Sequence, residues 1–393
     1  MDPIRSGIIG TGFIGGVHAA AVRASGGVVQ AVASSSLSEA ADAATAWRAG
    51  HAAASGLELI ARDDVDVVHI CTPNATHAEL AQAAIRAGKA VICEKPLAVD
   101  PQSAADLVTA AAAAGVVTAV PFVYRFYPAV REARERIRRG DAGRLWLLHG
   151  SYLQDWLSGG DVVNWRVDPA LGGASRAFGD IGVHWCDLME FVTGHRITRL
   201  IATWSTAVPE RPVRDGGDTT PASVTTEDGA LVLFETDRGA TGSVVVSQVS
   251  LGRKNRLWFS FDGLDAAYVF DQQLPDSLWV GGVRESRVIP RGPDTMPGDA
   301  AAYSRLPAGH PQGYQDAFTS FVSDVYTAVA GRAAPDGLPS FDDGLRATRI
   351  TAAVVDSVRT GQWVDVAADV RLTDSTGPRP HQQAATRERI TTR

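Results

Sequence analysis

An aspartate and a histidine stand four positions apart in the stretch AFGDIGVHWCDLMEF, whose other residues predict a buried helix. Asp180 and His184 would share one face of that helix, with Cβ atoms roughly 6 Å apart. Such a pair could hold a small molecule, bind a metal or hydrogen-bond a neighbouring segment. A histidine side chain titrates near neutral pH, so His184 is a candidate acid or base.

A metal-binding interpretation would add Asp187, giving the pattern D-x3-H-x2-D. The intervening residues are mostly apolar, and no second histidine follows at the spacing of a metal ligand. The cysteines Cys71, Cys93 and Cys186 are scattered through apolar runs, where buried and inert thiols are common. The sequence therefore predicts no metal site.

The N-terminal stretch GIIGTGFIGGVH carries glycines in G-x-G-x-x-G spacing between an apparent strand and an apparent helix. In that context the first glycine allows a tight turn, the second lets a pyrophosphate approach, and the third lets the helix pack closely. The start of the helix would face the phosphates. The predicted cofactor contacts here are Gly10, Gly12, Phe13, Ile14 and Gly15.

The residue at the end of the second strand should face the adenosine ribose, and in QAVASSSLSEAA that residue is Ser34. An acidic residue there would favour NAD and an arginine would favour NADP. Neither is present, and the next basic residue is Arg48. Because nothing nearby would neutralise a 2′-phosphate, the sequence favours NAD, although serines alone could accept NADP as well.

Apolar runs and helical patterns alternate over residues 1–122. Continuous apolar strands separated by helices predict a doubly wound parallel sheet with right-handed crossovers, which is a Rossmann domain. Lys95 follows the fourth predicted strand, at the carboxyl edge where such sheets hold ligands. Its ammonium group could donate to a reacting oxygen there.

Residues 123–366 predict an α+β domain with a large, mainly antiparallel sheet, which makes the fold class α/β overall. A charged helix, PAVREARERIRRG, precedes longer strands, and DRGA and LGRKN read as hairpin turns. Helices would cover one face, and Trp and Phe positions exposed on the other would suit a homodimer or homotetramer interface. The segment PERPVRDGGDTTPAS predicts an irregular loop, and residues 367–393 predict a disordered tail.

Composition narrows the range of partners. The 393 residues are 45% hydrophobic and contain no apolar run long enough for a membrane span, and the N-terminus does not resemble a targeting signal. We therefore expect a cytoplasmic protein that does not contact membranes. The net charge is −7 and no basic stripe opposes it, so nucleic acid is an unexpected partner.

Three further segments carry a family resemblance: CTPNATH, CEKPLA and GGASRAFGDIGVHWCDL. Together with the glycine turn, and in this order, they resemble the Gfo/Idh/MocA oxidoreductases over residues 4–366. The resemblance implies an NAD(P)-dependent enzyme that oxidises a secondary hydroxyl of a sugar. The segments GSYLQDW, NWRVD, STAVPERP and HPQGYQDAF are most similar to the levoglucosan-type members, which oxidise C3 of a pyranoside, and to sugar dehydrogenases of aminoglycoside biosynthesis.

The resemblance also implies roles for individual residues. Lys95, Asp180 and His184 would be catalytic and would bind substrate. Further substrate contacts would come from Tyr124, Gln154 and Trp156, with Arg125 close by. Further cofactor contacts would come from Thr72, Asn74, His77, Glu94, Lys95 and Arg166.

Several alternatives stay open at this stage. Either His184 or Lys95 could be the formal base, since burial beside a positive cofactor could lower the pKa of a lysine. Tyr124 and Trp156 could be core residues, and Asn74 could cap the helix that follows it. The enzyme could work as a ketoreductase in reverse, its substrate could be a glycoside or an aminosugar, and a non-catalytic dinucleotide or sugar sensor is the rival function.

Overall fold

The described part of the chain contains two large sheets flanked by helices, one parallel and one mainly antiparallel, and a separate pair of strands. The computed structural model describes residues 2–162, 164–215 and 218–368. The predicted fold class is confirmed: a parallel Rossmann sheet precedes a large mixed sheet that is mostly antiparallel. Most of the tail predicted for 367–393 lies outside the described residues. Within them, no helix is both long and apolar enough to cross a membrane.

The first sheet has six parallel strands in the order β3-β2-β1-β4-β5-β6. The strands are β1 Arg5–Ile9, β2 Val28–Ala33, β3 His51–Ala53, β4 Val67–Ile70, β5 Ala90–Cys93 and β6 Thr118–Ala119. The connecting helices are α1 Phe13–Ala24, α2 Leu37–Ala46, α3 Gly56–Ile60, α4 His77–Arg86 and α5 Pro101–Ala114.

This strand order determines where a ligand can bind. The chain order reverses between β1 and its neighbours β2 and β4, and a crevice opens at the carboxyl ends of the strands at such a reversal. The sequence analysis did not predict β3 or α3. They have three and five residues, which is too short for a periodic pattern. The start of α3 does carry a local signal, since the Ser55 side chain caps it by accepting from Glu58 N.

The second sheet has nine strands in the order β16-β15-β14-β13-β7-β12-β11-β8-β17. Its strands are β7 Leu145–Leu153, β8 Ile197–Ser205, β11 Gly229–Thr236, β12 Thr241–Ser247, β13 Arg256–Gly263, β14 Ala267–Asp271, β15 Ser277–Gly281, β16 Ser286–Pro290 and β17 Val364–Asp365. The helices of this half are α6 Pro128–Arg138, α7 Pro169–Gly172, α8 Val183–Thr193, α9 Asp299–Ala302, α10 Tyr314–Val329 and α11 Phe341–Thr360.

One of the two predicted hairpins is wrong. DRGA does join the antiparallel neighbours β11 and β12, but LGRKN does not join a hairpin. Strand β7 lies between β12 and β13, parallel to β12 and antiparallel to β13. A turn sequence shows that the chain reverses, whereas the insertion of a strand from earlier in the chain depends on long-range pairing.

The segment predicted to be an irregular loop instead forms two short paired strands, β9 Glu210–Asp215 and β10 Asp218–Ser223. Residues 216 and 217 lie outside the described residues. Backbone hydrogen bonds hold this pair, in which Pro212 faces Pro221. No apolar alternation accompanies them, so the sequence carried no strand signal.

The two faces of the large sheet differ in what covers them. Helices α6, α8 and α11 pack on one face. The other face shows exposed apolar side chains on adjacent strands, at Leu231, Leu233, Val245, Trp279 and Val288. The expectation of exposed phenylalanines is wrong, because strand alternation turns those of β11, β13 and β14 into the core.

Candidate active site

A cleft of about 1370 Å³ runs along the carboxyl edge of the parallel sheet and continues beneath β7 and the start of α8. It brings together residues from both halves of the chain. The sequence-predicted residues that line it are Gly10, Gly12, Phe13, Ile14, Ser34, Thr72, Asn74, His77, Glu94, Lys95, Gln154, Trp156, Arg166, Asp180 and His184.

The glycine turn fits a dinucleotide. Gly10 has φ +104°, and a Cβ there would lie 2.5 Å from the Cys71 carbonyl oxygen. A Cβ on Gly15 would lie 2.1 Å from the Gly10 carbonyl oxygen, so Gly15 lets α1 pack on the turn but does not itself line the cleft. A Cβ on Gly12 would meet none of the described atoms within 4 Å. The open side of Gly12, at the start of α1, leaves room for a pyrophosphate.

Lys95 and Asp180 form the central ion pair of the cleft. Lys95 Nζ donates to Asp180 Oδ1 at 2.5 Å and to the Asp180 carbonyl oxygen at 2.9 Å. The other carboxylate oxygen accepts from Gln248 Nε2 at 2.8 Å. Burial raises the pKa of Asp180, but the charges of Lys95 and Arg166 outweigh it and bring that pKa well below its usual range. Asp180 is therefore ionised and fixes the position of the lysine.

His184 lies next to this pair. Burial, and then the charge of Lys95, lower the pKa of His184 to about 3, so the imidazole is neutral near pH 7. Its Nδ1 is buried and has no hydrogen-bond partner among the described residues. The ring is held edge-on between the rings of Phe122 and Tyr124, with centroids 5.7 and 5.3 Å away.

The turn that carries Asp180 is a π-helical turn, Phe178–Gly182, which runs directly into α8. Single π turns are rare and occur often at functional sites. Buried Glu227 holds its start, because its carboxylate accepts from Arg176 N at 3.0 Å and from Phe178 N at 2.8 Å. The sequence predicted an α-helix throughout and did not single out Glu227.

Gln248 is another residue that the sequence reading missed, although a signal for it exists. Along β12 the inward positions are Gly242, Val244 and Val246, and Gln248 continues the same alternation two residues later. It is fully buried. A polar side chain at a core-facing position usually has a specific hydrogen-bond partner, which here is Asp180.

Glu94 precedes Lys95 and is held from behind by a histidine pair. His18 Nε2 lies 3.2 Å from Glu94 Oε1, and His18 Nδ1 lies 2.9 Å from His69 Nδ1. Burial raises the pKa of Glu94, but the hydrogen bond from His18 and the neighbouring positive charge of Lys95 outweigh it together, and the pKa lies below the ordinary value. The carboxylate is thus charged at the edge of the cleft.

The loop after β4 is tied to its surroundings. His77 lies between two carbonyl oxygens, with Nδ1 2.7 Å from Pro96 O and Nε2 2.9 Å from Thr72 O. Asn74 Nδ2 donates to Gly172 O at 2.8 Å. The alternative that Asn74 caps a helix is wrong, because α4 begins at His77 with Thr76 as its N-cap.

Alternation along β7 and the residues after it turns Tyr152, Gln154 and Trp156 toward the cleft. Gln154 Nε2 donates to Asn255 Oδ1 and Trp156 Nε1 donates to Gln154 Oε1, both at 2.8 Å. Tyr124 is buried, and its hydroxyl is hydrogen-bonded to that of Tyr152, so Tyr124 lies behind the three residues that line the cleft. The sequence reading missed Tyr152.

Arg125 is not at the cleft surface. It forms buried ion pairs with Asp187 and, at 2.7 Å, with Asp343 of α11. Asp187 therefore neutralises an arginine. Arg166 does line the cleft, with Nε 3.5 Å from Asp180 Oδ1. In the described part of the chain, no group of three or more His, Cys, Asp or Glu side chains could hold a metal ion.

Two family models match the chain. The model of the oxidoreductase family with an NAD-binding Rossmann fold covers residues 4–122, and the GFO/IDH/MocA C-terminal domain covers residues 130–268. The chain belongs to the Gfo/Idh/MocA oxidoreductase family. As a member of that family, it is an NAD-dependent oxidoreductase.

Individual relatives within the Gfo/Idh/MocA family match over almost their whole length. Levoglucosan dehydrogenase of Pseudarthrobacter phenanthrenivorans is 31% identical, covering 93% of this chain and 99% of the relative. Inositol 2-dehydrogenase 3 of Saccharopolyspora erythraea is 29% identical, covering 93% and 96%. A solved structure of levoglucosan dehydrogenase in complex with NADH and L-sorbose matches with a TM-score of 0.86 and 31% identity, over 93% of this chain and 99% of that one.

Proposed function

We propose that the protein is a dehydrogenase that oxidises a secondary hydroxyl of a pyranoside, at C3, to the ketone. The observation that carries this proposal is the meeting of Lys95, Asp180 and His184 in the same cleft as the glycine turn. Bound NAD would accept the hydride from the carbinol carbon. The similarity to levoglucosan dehydrogenase and inositol dehydrogenases supports a polyhydroxylated ring as substrate.

Lys95 would bind the reacting oxygen. An ammonium group has three N–H donors, and Lys95 uses two of them on Asp180. The third is left for the substrate hydroxyl, whose oxygen gains negative charge as its proton is withdrawn and gives that charge up as the hydride leaves carbon. Asp180, held by Gln248 as well, would keep the ammonium in place during the reaction.

His184 would take the hydroxyl proton. Its imidazole is neutral near pH 7, so a ring nitrogen presents a lone pair to the hydroxyl proton. The same burial and charge that keep it neutral weaken it as a base, and the hydrogen bond from Lys95 offsets this by making the bound hydroxyl more acidic. Its two flanking aromatic rings prevent it from turning away. With His184 starting as the imidazolium, and Lys95 and Asp180 charged as before, the same groups would serve the reverse ketone reduction, since each step is reversible.

Tyr152, Gln154 and Trp156 would contact the sugar. An aromatic ring packs against sugar C–H groups, and the amide and the phenol satisfy hydroxyls. Gln154 is already oriented by hydrogen bonds to Asn255 and Trp156, which reduces the entropy lost on binding. Arg166, Thr72 and Asn74 would border the cofactor.

The test of this function is isotope transfer. The purified enzyme would be incubated with NAD and levoglucosan deuterated at C3 or, as the matched control, at C2. The proposal expects deuterium in the reduced cofactor only from the C3 compound. Label arriving from C2 instead would contradict the C3 assignment while leaving the dehydrogenase function in place.

A panel of glucosides, inositols and aminosugars would define the substrate range, with absorbance of the reduced nicotinamide as the readout. The rival function, a sensor that binds dinucleotide or sugar without turnover, would give cofactor binding but no reduced cofactor with any member of the panel. That result would overturn the dehydrogenase proposal.

We also propose that the boundary between the Rossmann domain and the α+β domain lies between residues 122 and 123. We propose further that the protein forms a dimer or tetramer through the exposed face of the large sheet. That face presents Leu231, Leu233 and Val245 on two paired strands. An apolar surface of this kind is unusual on a monomer. Leu233→Glu should shift the mass measured by light scattering toward the monomer; an unchanged mass would contradict the proposal.

A further inference from the structure

The end of β2 is where dinucleotide-binding folds carry the acidic residue that binds the adenosine ribose. In this chain β2 ends at Ala33 and is followed by Ser34, Ser35 and Ser36. None of these can accept a strong charge-assisted hydrogen bond from a ribose hydroxyl or repel a 2′-phosphate. The family nevertheless binds NAD. An acidic group that reads the ribose would have to come from elsewhere in the fold.

Glu39, in the first turn of α2, places its carboxylate beside the serines that follow β2. Ser34 Oγ donates to Glu39 Oε2 at 2.8 Å and Ser35 Oγ donates to the same oxygen at 2.6 Å. All three side chains line the cleft. These two hydroxyls lower the pKa of Glu39, so the group is a carboxylate at neutral pH. Among the described residues neither serine engages Oε1, whose lone pairs are left for a ligand.

A second helix of the same chain shows that this orientation is not an ordinary helix cap. Both α2 and α3 begin with Ser-x-x-Glu, and in both the serine accepts from the N–H of the glutamate. At α3 the carboxylate of Glu58 turns back to the backbone, where Ala54 N donates to it at 3.0 Å. This resembles a capping box, with the N–H of the residue before the N-cap as the donor. At α2 the carboxylate of Glu39 instead goes to the serine hydroxyls.

The charges around this end of the cleft have one sign. Asp42 follows Glu39 on the same face of α2 and also lines the cleft. Of the described lysines and arginines, only Lys95 and Arg166 line the cleft, and both lie beside Asp180. A 2′-phosphate would therefore meet two carboxylates and no cation.

We infer that Glu39, oriented by Ser34 and Ser35, is the residue that selects NAD over NADP in this enzyme. Its free carboxylate oxygen accepts a hydrogen bond from the ribose 2′-hydroxyl and its charge repels a 2′-phosphate. The role that an acid at the end of β2 usually performs is thus divided between a helix residue and two serines. This inference rests on the proposed position of the cofactor in the cleft.

The test measures dissociation constants of NAD and NADP by calorimetry, without any sugar. In Glu39→Gln the ratio of the NADP constant to the NAD constant should fall by roughly ten- to a hundredfold, which is the worth of one hydrogen bond to a charged group. Glu58→Gln is the matched control, because it removes the carboxylate of the other Ser-x-x-Glu turn, and its ratio should equal that of the wild type. Thermal unfolding would establish that each variant is folded.

A rescue variant sharpens the test. Adding Ser34→Asp to Glu39→Gln puts a carboxylate directly at the end of β2, and the preference for NAD should return. An unchanged ratio in Glu39→Gln, with NAD still bound by the wild type, overturns the inference alone. A wild-type protein that binds neither dinucleotide overturns the inference and the proposed position of the cofactor together.

Discussion

Replacing His184 by glutamine should change how the stability of the protein depends on pH. In the folded chain the imidazole is buried, and burial and the charge of Lys95 lower its pKa from 6.5 to about 3. In the unfolded chain it titrates normally. Between pH 6.5 and the folded-state pKa, the imidazole is therefore protonated in the unfolded state and neutral in the folded state. The stability that the neutral imidazole provides is complete above that pH and is lost as the pH falls toward the folded-state value.

The size of the effect follows from the difference between the two pKa values. One pH unit between them corresponds to about 1.4 kcal/mol. Acidification from about pH 7 to about pH 5 ends roughly 1.5 pH units below the unfolded-state pKa of the imidazole. His184 alone should therefore lower the unfolding free energy of the wild type by about 2 kcal/mol over this range. Glutamine does not titrate, so His184→Gln should lack this loss.

Urea unfolding of the cofactor-free protein at several pH values measures the difference. Between about pH 7 and about pH 5 the wild type should lose about 2 kcal/mol more than His184→Gln, whatever the offset between the two curves at neutral pH. His310→Gln, at an exposed position, is the control and should follow the wild type. Parallel curves for the wild type and His184→Gln would refute the view of His184 as a buried, neutral imidazole.

Two further predictions concern catalysis and the cofactor loop. Lys95→Ala and His184→Ala should each lower kcat/KM by about 10² to 10⁴ in steady-state kinetics, and calorimetry should find the NAD dissociation constant of His184→Ala almost unchanged. A variant that turned over normally but bound NAD weakly would contradict its catalytic role. Gly12→Val should keep the thermal stability of the wild type but weaken NAD binding by roughly a hundredfold. Gly15→Ala should instead lower the unfolding free energy by about 1–3 kcal/mol, because its Cβ would lie 2.1 Å from the Gly10 carbonyl oxygen. Equal melting temperatures for the two glycine variants would refute that distinction.

The sequence by itself determined the parallel half of the fold and its glycine turn. The strands β1, β2, β4 and β5 are short, mostly apolar runs, and each is followed by a helix. Ser36 marks the start of α2, and Asp100 with Pro101 marks the start of α5. Gly10 needs a positive φ, which a turn between strand and helix already implies. These features depend on neighbours a few residues away, so a linear reading could find them.

The sequence also singled out Lys95, Asp180 and His184 as candidates, and the resemblance of their segments to a known family favoured a catalytic role over a structural one. Periodicity alone left Asp180 and His184 as a pair on an apolar helix that could have been structural. Their closeness to Lys95, 85 residues earlier than Asp180, is a property of the folded chain.

Only the tertiary structure decided which strands are neighbours and which charges are paired. Strand β7 lies between β12 and β13, Arg125 pairs with Asp187 and Asp343, and Gln248 supports Asp180. These contacts join segments that are dozens to hundreds of residues apart. Whether two such segments meet depends on the packing of the whole core, because many pairings satisfy the same local pattern and only one of them buries the apolar surface.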